Sequence, residues 1–594
     1  MKRHNKYLTI IFLSVFTLFQ GCETLDLDNL DNPNALGADQ ADPTLLFNTI
    51  QLNYRNAVTT FNNLGGDLSR IENMFGRNYR SNYPGNTLNG PWSNLYSGII
   101  PDIAVIEEKN SEGDYNFILG ASKAMEAHVL MLSVDFMGDV VWSEAFDSAN
   151  NPSPTVDEGS AVYQAALGLL DEAATLMNGA PAKTALDMYY GGSSTKWLKF
   201  INTLKMRAAL TVGDYQAVIN ASNVIEDIAD NFKFEYGTNQ LNPDTRHPDY
   251  ANDYTASGAN NYRSNWLMHL MKGSWGDNTG DDDPRRRFYF YRQSEYTPGH
   301  DTPLIVGSNP WTTYVFPASL TGTNEDAQTL VCSVQETPTH LQFTPDEDYW
   351  CGDDLGYWGR THGNAEGIPP DGFQRTASGV YPAGGRFDDN PDYVIYLGAG
   401  AWQSWNAKVG IALGAQGAGI EPIILSSFVE FWRAEAYLKT NQPALASQHF
   451  AKGIKESVDY VVTFGVRDAT ADLSVAPSST FRQEFIDNMQ AEFDSAANST
   501  GLDGAGWPVA KDKMDLLGEQ FFVAMYGGGA DAYNFIRRTG YPRTIARSID
   551  PNPGPFPRSF LYPSDETGTN PNINQKSDLT SRVFWDQGVT NPAN

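Results

Sequence analysis

Cysteine is scarce in this chain, with three residues in 594, so at most one intramolecular disulfide can form. Positive charge is scarce too. Lys and Arg number 41 against 71 Asp and Glu, a formal net charge of −30, which argues against nucleic acid as a partner, since binding it needs clustered basic residues. The same balance disfavours anionic membrane faces. No His-Glu-x-x-His, Gly-x-Ser-x-Gly or Gly-x-x-x-x-Gly-Lys pattern occurs, so no zinc, serine-elbow or phosphate-loop chemistry is indicated. The eight histidines are scattered, and His340 and His362 lack metal-ligand spacing. Asp281-Asp282-Asp283 lacks the alternating ligands of a calcium loop and reads as an exposed acidic turn. Arg285-Arg286-Arg287 reads as a solvated or salt-bridged loop rather than an anion site. No cofactor or metal is implied. A glycoside hydrolase would need only two carboxylates, which a chain with this many acids could supply anywhere.

The apolar run Leu8 to Phe19 is too short to span a bilayer, and it follows Lys2, Arg3 and Lys6. It reads as a signal peptide, residues 1–21. Phe19-Gln20-Gly21 leads directly into Cys22, with the small residue Gly21 where a bacterial lipobox has one and Phe19 where Leu or Val is usual. Cys22 is therefore the expected lipid-attachment site, where two or three acyl chains anchor far better than one. Loss of Lys2, Arg3 and Lys6 takes the net charge from −30 to −33. Cys332 and Cys351 remain, as a disulfide or as two buried thiols. A crosslink there would add on the order of 3 kcal/mol and tie down the segment of Trp350, Tyr357 and Trp358.

No Ser- or Gly-rich linker divides the chain, but its texture changes. Residues about 44–230 and 420–530 carry helical periodicity. Residues about 235–420 are dense in Gly, Pro, Asp, Asn and aromatics, and about 540–594 is irregular. The expectation is a mainly α fold: one body, 22–594, with a helical scaffold in two halves and a loop-rich insertion between them.

Trp197, Ile201, Leu204 and Ala208 share a helix face. After a turn at Val212-Gly213-Asp214, Ala217, Ala221, Val224 and Ile228 predict a second helix over Tyr215–Ile228. The plan recurs in Leu425, Phe428, Trp432 and Ala436, a break at Thr440-Asn441-Gln442-Pro443, and Ala446, Phe450, Ile454 and Val458. Pro443 suits a first helical turn. A further pair is expected at about 115–137 and 158–178, the latter with Val162, Ala165, Leu169 and Ala173. Helix–turn–helix units with small residues where the helices meet indicate tetratricopeptide-like packing.

Several segments, in order, resemble the SusD/RagB family, in its SusD-like branch: Leu30-Asp31-Asn32-Pro33-Asn34, Asp42-Pro43-Thr44-Leu45-Leu46, Phe136-Met137-Gly138-Asp139-Val140 with Ser143-Glu144-Ala145, Asp283-Pro284-Arg285, Phe431 to Tyr437, Phe535 to Pro542, and Leu561-Tyr562-Pro563 to Asn572. The resemblance covers nearly the whole mature chain. It implies a helical fold with four tetratricopeptide-like units, a lipoprotein on the outer membrane facing the cell exterior, and a SusC-like TonB-dependent transporter as partner. It also implies a binding role without chemistry, with an oligosaccharide or polysaccharide as ligand, or in some members a peptide.

Sugar rings stack their C–H faces on flat aromatics while their hydroxyls need polar partners. Ser274-Trp275-Gly276-Asp277-Asn278 and Tyr349-Trp350-Cys351 through Tyr357-Trp358-Gly359-Arg360 have that composition, and glycine beside Trp leaves a ring face open. Trp275, Asp277, Asn278, Trp350 and Trp358 are thus the expected carbohydrate-binding residues, and a neutral glucan such as a β-glucan the expected ligand. The other reading of these rings is burial beneath long loops. Trp311, Trp402 and Trp405 read as core at least as readily, and Trp197 and Trp432 are assigned to it. Arg77-Asn78-Tyr79-Arg80 with Tyr83, Asn86 and Trp92 forms a second, lesser patch, in which Trp92 and Tyr96 are expected to lock the following helix.

Overall fold

In the computed structural model the described residues are 41–145, 151–178, 185–271, 282–293, 304–306, 313–315, 357, 359–363, 375–390, 395–398, 401–403, 407–502, 508–548, 550 and 552–590. The first helix, α1 (Pro43–Ser69), begins where the Asp42 carboxylate accepts the Thr44 N–H at 2.8 Å and Pro43 occupies the first turn. It ends at Arg70, which adopts a left-handed conformation with φ 62°. The buried Arg70 side chain holds that turn by donating to the Ala546 carbonyl at 2.8 Å and to the Tyr79 hydroxyl at 3.1 Å.

The remaining scaffold helices are α2 (Ile100–Lys109), α3 (Asn116–Met137), α4 (Gly159–Met177), α5 (Ser194–Thr211) and α6 (Tyr215–Asn220), then, beyond the insertion, α7 (Ser426–Lys439), α8 (Pro443–Val462), α9 (Ser479–Ser495), α10 (Lys513–Ala524) and α11 (Ala530–Thr539). The fold is mainly α. α3 packs on α4 and α7 on α8, with α8 on α9 and α11 against α1. Small residues sit where helices meet: a Cβ on Gly453 would lie 3.1 Å from the Phe431 ring, and one on Gly120 3.1 Å from the Ala173 carbonyl. α3 is apolar and long enough to cross a membrane, yet all of its most apolar stretch is buried among other helices.

The expected stripes hold in α5, α7 and α8, where Trp197, Ile201, Leu204, Ala208, Phe428, Trp432, Phe450 and Ile454 are buried. In α4 the buried line is Val162, Ala166, Leu170, Ala173 and Met177, and Ala165 and Leu169 flank it. The helix expected over Tyr215–Ile228 stops at Asn220. Ala221 is extended and Asn223 is left-handed at φ 51°. The loop is stapled to α5 instead, since Asn202 donates to the Asn223 carbonyl at 3.0 Å and the Thr203 hydroxyl accepts the Ile225 N–H at 2.9 Å. Val224 and Ile225 thus reach the core without a helix.

The motif around Gly138-Asp139 is a helix-to-helix joint. Gly138 has φ 89°, and the Asp139 carboxylate accepts the Gly159 N–H at 2.9 Å at the start of α4. Asp157 does the same for the Trp142 and Ser143 N–H groups, at 2.7 and 2.9 Å.

One buried carboxylate joins most of these elements. Asp135 of α3 accepts from Arg207 of α5 at 2.9 Å, Asn534 of α11 at 2.8 Å, the indole of Trp585 at 2.9 Å, and the Tyr163 hydroxyl of α4. Arg207 also donates through Nε to Asp531 of α11 at 2.8 Å.

Two strands close the ends of the insertion. β1 (Phe232–Glu235) pairs antiparallel with β2 (Ile420–Ile424), from Phe232 opposite Ile424 to Glu235 opposite Ile420. Asp283 overturns the expectation of an exposed acidic turn, whereas Arg285 bears out the salt-bridged reading of its triplet. Both are buried, paired at 2.5 Å, and Arg285 also donates to Ser457 of α8 at 2.9 Å and Gln520 of α10 at 2.7 Å. This stretch pins the insertion to the second half of the scaffold.

Removing the Asp135 carboxylate leaves Arg207 with Asp531 alone and strands the Asn534, Trp585 and Tyr163 donors in a dry interior. Asp135→Ala is expected to lower stability by about 3–5 kcal/mol, read from the urea midpoint, whereas exchanging the exposed Asp171 for Ala should leave it within about 0.5 kcal/mol.

Candidate functional site

A cleft of about 400 Å³ opens where the insertion meets α1. Its floor and one wall come from the scaffold: Thr59, Asn63 and Asp67 of α1, then Glu72, Asn73 and Phe75 of the turn that Arg70 holds, with Gly527 and Gly528. The insertion supplies His247, Asp249, Asn260, Asn261, Tyr262 and Arg263, and β2 supplies Glu421. Gly65 allows the close approach that shapes this junction, because a Cβ there would fall 2.3 Å from the Gly529 carbonyl oxygen.

Arg263 ties the two walls. Its buried guanidinium donates to Asp253 at 2.8 Å and to Glu72 at 3.3 Å, with Asp249 at 3.7 Å. Asp253 is itself fully buried and accepts the Asn261 and Ser378 N–H groups. Glu421 accepts from Asn62 of α1 at 2.8 Å and from the Tyr236 hydroxyl at 3.4 Å.

Burial pushes the Glu421 carboxyl up to about 7, against the opposing pull of the Asn62 hydrogen bond. Burial alone pushes Asp67 up to about 7. It also raises Glu72, although the neighbouring Arg263 opposes the shift. His247 is pushed down to about 4 by burial and stays neutral near physiological pH, its Nδ1 accepting the Asp249 N–H at 3.1 Å.

Of the Phe and Tyr rings that line the cleft, only one is exposed. Tyr262 is buried, with the guanidinium carbons of Arg360 and Arg375 at 4.4 and 4.0 Å from its ring centroid. Phe75 is 44% exposed at the rim.

Trp275, Asp277, Asn278, Trp350 and Trp358, the residues expected to contact sugar, lie outside the described residues, as do Cys22, Cys332 and Cys351. Of their neighbours, Tyr357 is not a platform. It is buried, its hydroxyl donates to Asp388 at 2.9 Å, and the Arg286 and Arg292 guanidiniums cover its ring at 4.6 and 4.7 Å. Gly359 leaves room for backbone rather than for a ligand, since a Cβ there would meet the Arg263 carbonyl at 2.0 Å. In the lesser patch Tyr79 and Tyr83 are buried, and Trp92 packs on Tyr96 at 4.4 Å between centroids, as expected of a helix lock.

Sequence reasoning missed the cleft residues. Asn260-Asn261-Tyr262-Arg263 has the same aromatic and amide composition that singled out the other loops. Asp67, Glu72 and Glu421 carry no local signal, because their meeting depends on the chain crossing between distant segments.

A family model described as "Starch-binding associating with outer membrane" (SusD-like) matches residues 33–302, and "Susd and RagB outer membrane lipoprotein" matches residues 421–586. The chain belongs to the SusD/RagB family. Members are outer-membrane lipoproteins that bind nutrients. No curated protein matches the sequence. Among solved structures, a SusD/RagB family protein from Bacteroides thetaiotaomicron is 16% identical with a TM-score of 0.61, over 93% of this chain and 100% of the other. A SusD homolog from Bacteroides fragilis is 15% identical with a TM-score of 0.58, over 92% and 99%. A structure named as a chitin-binding protein is 17% identical with a TM-score of 0.53, over 92% and 100%. At these identities the likeness is one of fold.

Glu421 has a folded-state pKa above its ordinary value, so its favourable contribution is complete below about pH 4.3 and is lost as pH rises through about 7. Glu421→Gln is expected to gain thermal stability relative to the parent in mildly alkaline buffer and to match it in acid, as differential scanning calorimetry at the two pH values would show.

Proposed function

We propose that this SusD-like protein is a lipid-anchored receptor on the outer membrane that captures an oligosaccharide or polysaccharide and passes it unaltered to a SusC-like TonB-dependent transporter. The observation that carries the reading is the cleft. An exposed ring, Phe75, stands at the rim of an open volume large enough for a sugar unit or two, and side-chain amides and carboxylates surround it. A pyranose needs that pairing of flat apolar surface and hydrogen-bonding edge. The loops bearing Trp275, Asp277, Asn278, Trp350 and Trp358 belong to the same insertion and are proposed to add rings to the same ligand. The lipobox-like residues before Cys22 support anchorage there, and family membership supports an exterior orientation and a SusC-like partner.

Affinity electrophoresis against a polysaccharide panel tests the reading. Retention on at least one polymer is expected, and Phe75→Ala should weaken it by roughly five- to tenfold, the size of a lost stacking contact. Trp275→Ala and Trp350→Ala should each weaken it further, while Tyr262→Phe leaves it unchanged. Absence of retention on any polymer, with binding of peptides instead, would transfer the protein to the peptide-binding side of the family. Release of reducing sugar by the purified protein would overturn a role in binding alone.

A further inference from the structure

A second, smaller cavity of about 210 Å³ lies at the turn of the α7–α8 pair. Lys439 and Asn441 beside that turn, Pro443 of α8, Asn498, Lys513 of α10 and Tyr541 line it. It is separate from the cleft. Lys513 opens the 12-residue α10, which spans about 18 Å, and Gly527 and Gly528 of the cleft lie past the other end of that helix.

The charge of this cavity is the reverse of the chain's. Acidic residues outnumber basic ones by 71 to 41 in the sequence, yet the lining holds two lysines and no carboxylate. Lys513 is buried, and its ammonium donates to the carbonyls of Phe493 and Asp494, the latter at 3.0 Å. It forms no ion pair among the described residues. Arg207, Arg263 and Arg285, also buried, each have a carboxylate at hydrogen-bonding distance. Burial holds the Lys513 pKa below the ordinary lysine value, against the pull of the nearby Asp494 charge. The neighbouring Asp512 is committed elsewhere, accepting the Tyr541 hydroxyl at 2.8 Å and pairing with Arg543 at 3.2 Å. A buried cation without a counter-charge is costly.

The other polar groups of the lining are open to a ligand. Lys439 forms no ion pair among the described residues, and the side-chain amides of Asn441 and Asn498 make no hydrogen bond there. The 20-residue α8 begins at the cavity without a side-chain cap, which adds the positive end of a helix. A carboxylate answers ammonium groups and amide N–H groups with charge-assisted hydrogen bonds. The amide oxygens also accept, which suits hydroxyls, and Leu438 and Met514 supply apolar surface.

We propose that this cavity is a second ligand site, for a sugar acid: a single ring whose carboxylate is held by Lys439 and Lys513 and whose hydroxyls meet Asn441 and Asn498. The site stands independently of the glycan reading of the cleft.

Isothermal titration of the purified protein near neutral pH with glucuronate, glucose, acetate and inorganic phosphate decides it. Glucuronate is expected to bind one to one, about tenfold more tightly than glucose or acetate, the scale of a charge-assisted hydrogen bond. Phosphate should bind no more tightly than acetate, and added salt should weaken glucuronate. Lys439→Gln should weaken glucuronate about fivefold, the upper range for an exposed charge pair, with the melting temperature unchanged. Lys513→Gln should weaken it further; if that variant does not fold, Lys439→Gln and Asn498→Ala carry the test. Glucuronate binding should survive Phe75→Ala.

Equal affinity for glucuronate and glucose, or for glucuronate and acetate, would overturn the inference, as would tighter binding of phosphate or unchanged affinity in Lys439→Gln. Loss of glucuronate binding in Phe75→Ala would overturn it too, by moving that ligand to the cleft. Polysaccharide capture by the cleft is tested separately by the affinity gels, so either reading can fail alone.

Discussion

The fold depends on one solvated-from-within carboxylate. Asp135 has no access to water, so the donors that replace its hydration shell must come from other elements, and they come from α4, α5, α11 and the C-terminal segment around Trp585. A charge in a dry interior is tolerable only when every lone pair is met in good geometry. That requirement makes the contact selective, because helices that merely bury apolar stripes could slide or rotate against one another, whereas these can meet in one arrangement. The first and last parts of the chain are brought together as a result, and α11 then lies along α1.

The cleft follows from that arrangement. With α11 seated on α1, Gly529 comes against Gly65, and the glycine turn at 527–529 forms part of the cleft lining. The β1–β2 ribbon roots the insertion beside this junction, and Arg263 bridges to Glu72 from the insertion side. Asp283 and Arg285 fasten the same insertion to α8 and α10. Among its described residues the insertion has a small core cluster around Tyr250, Tyr254, Tyr291 and Val409, and buried ion pairs and cation–ring contacts add to it. Tyr357 beneath two guanidiniums and Tyr262 beneath two more are the clearest cases. The rings of Tyr262 and Tyr357 are consumed by the structure.

Periodicity was a reliable guide wherever a helix buries one face. Trp197 and Trp432 fall in the core because their stripes repeat at helical spacing, and the break before Pro443 lies where the backbone turns. It failed at Tyr215–Ile228, where the apolar spacing continues but the helix stops at Asn220 and the loop beyond it bonds to α5. It was silent on Asp283 and Arg285, since a run of charges looks solvated until its partners are known.

The sequence by itself determined the helical repeats, their paired packing and the family, since these are written in local spacing and in ordered short motifs. Only the tertiary structure decided which polar residues are structural and which face an open cleft. The reason is physical: a carboxylate's role is set by what surrounds it in space. Asp135 met by four donor groups and Asp67 met by no cation are the same residue type, distinguished by neighbours from distant parts of the chain.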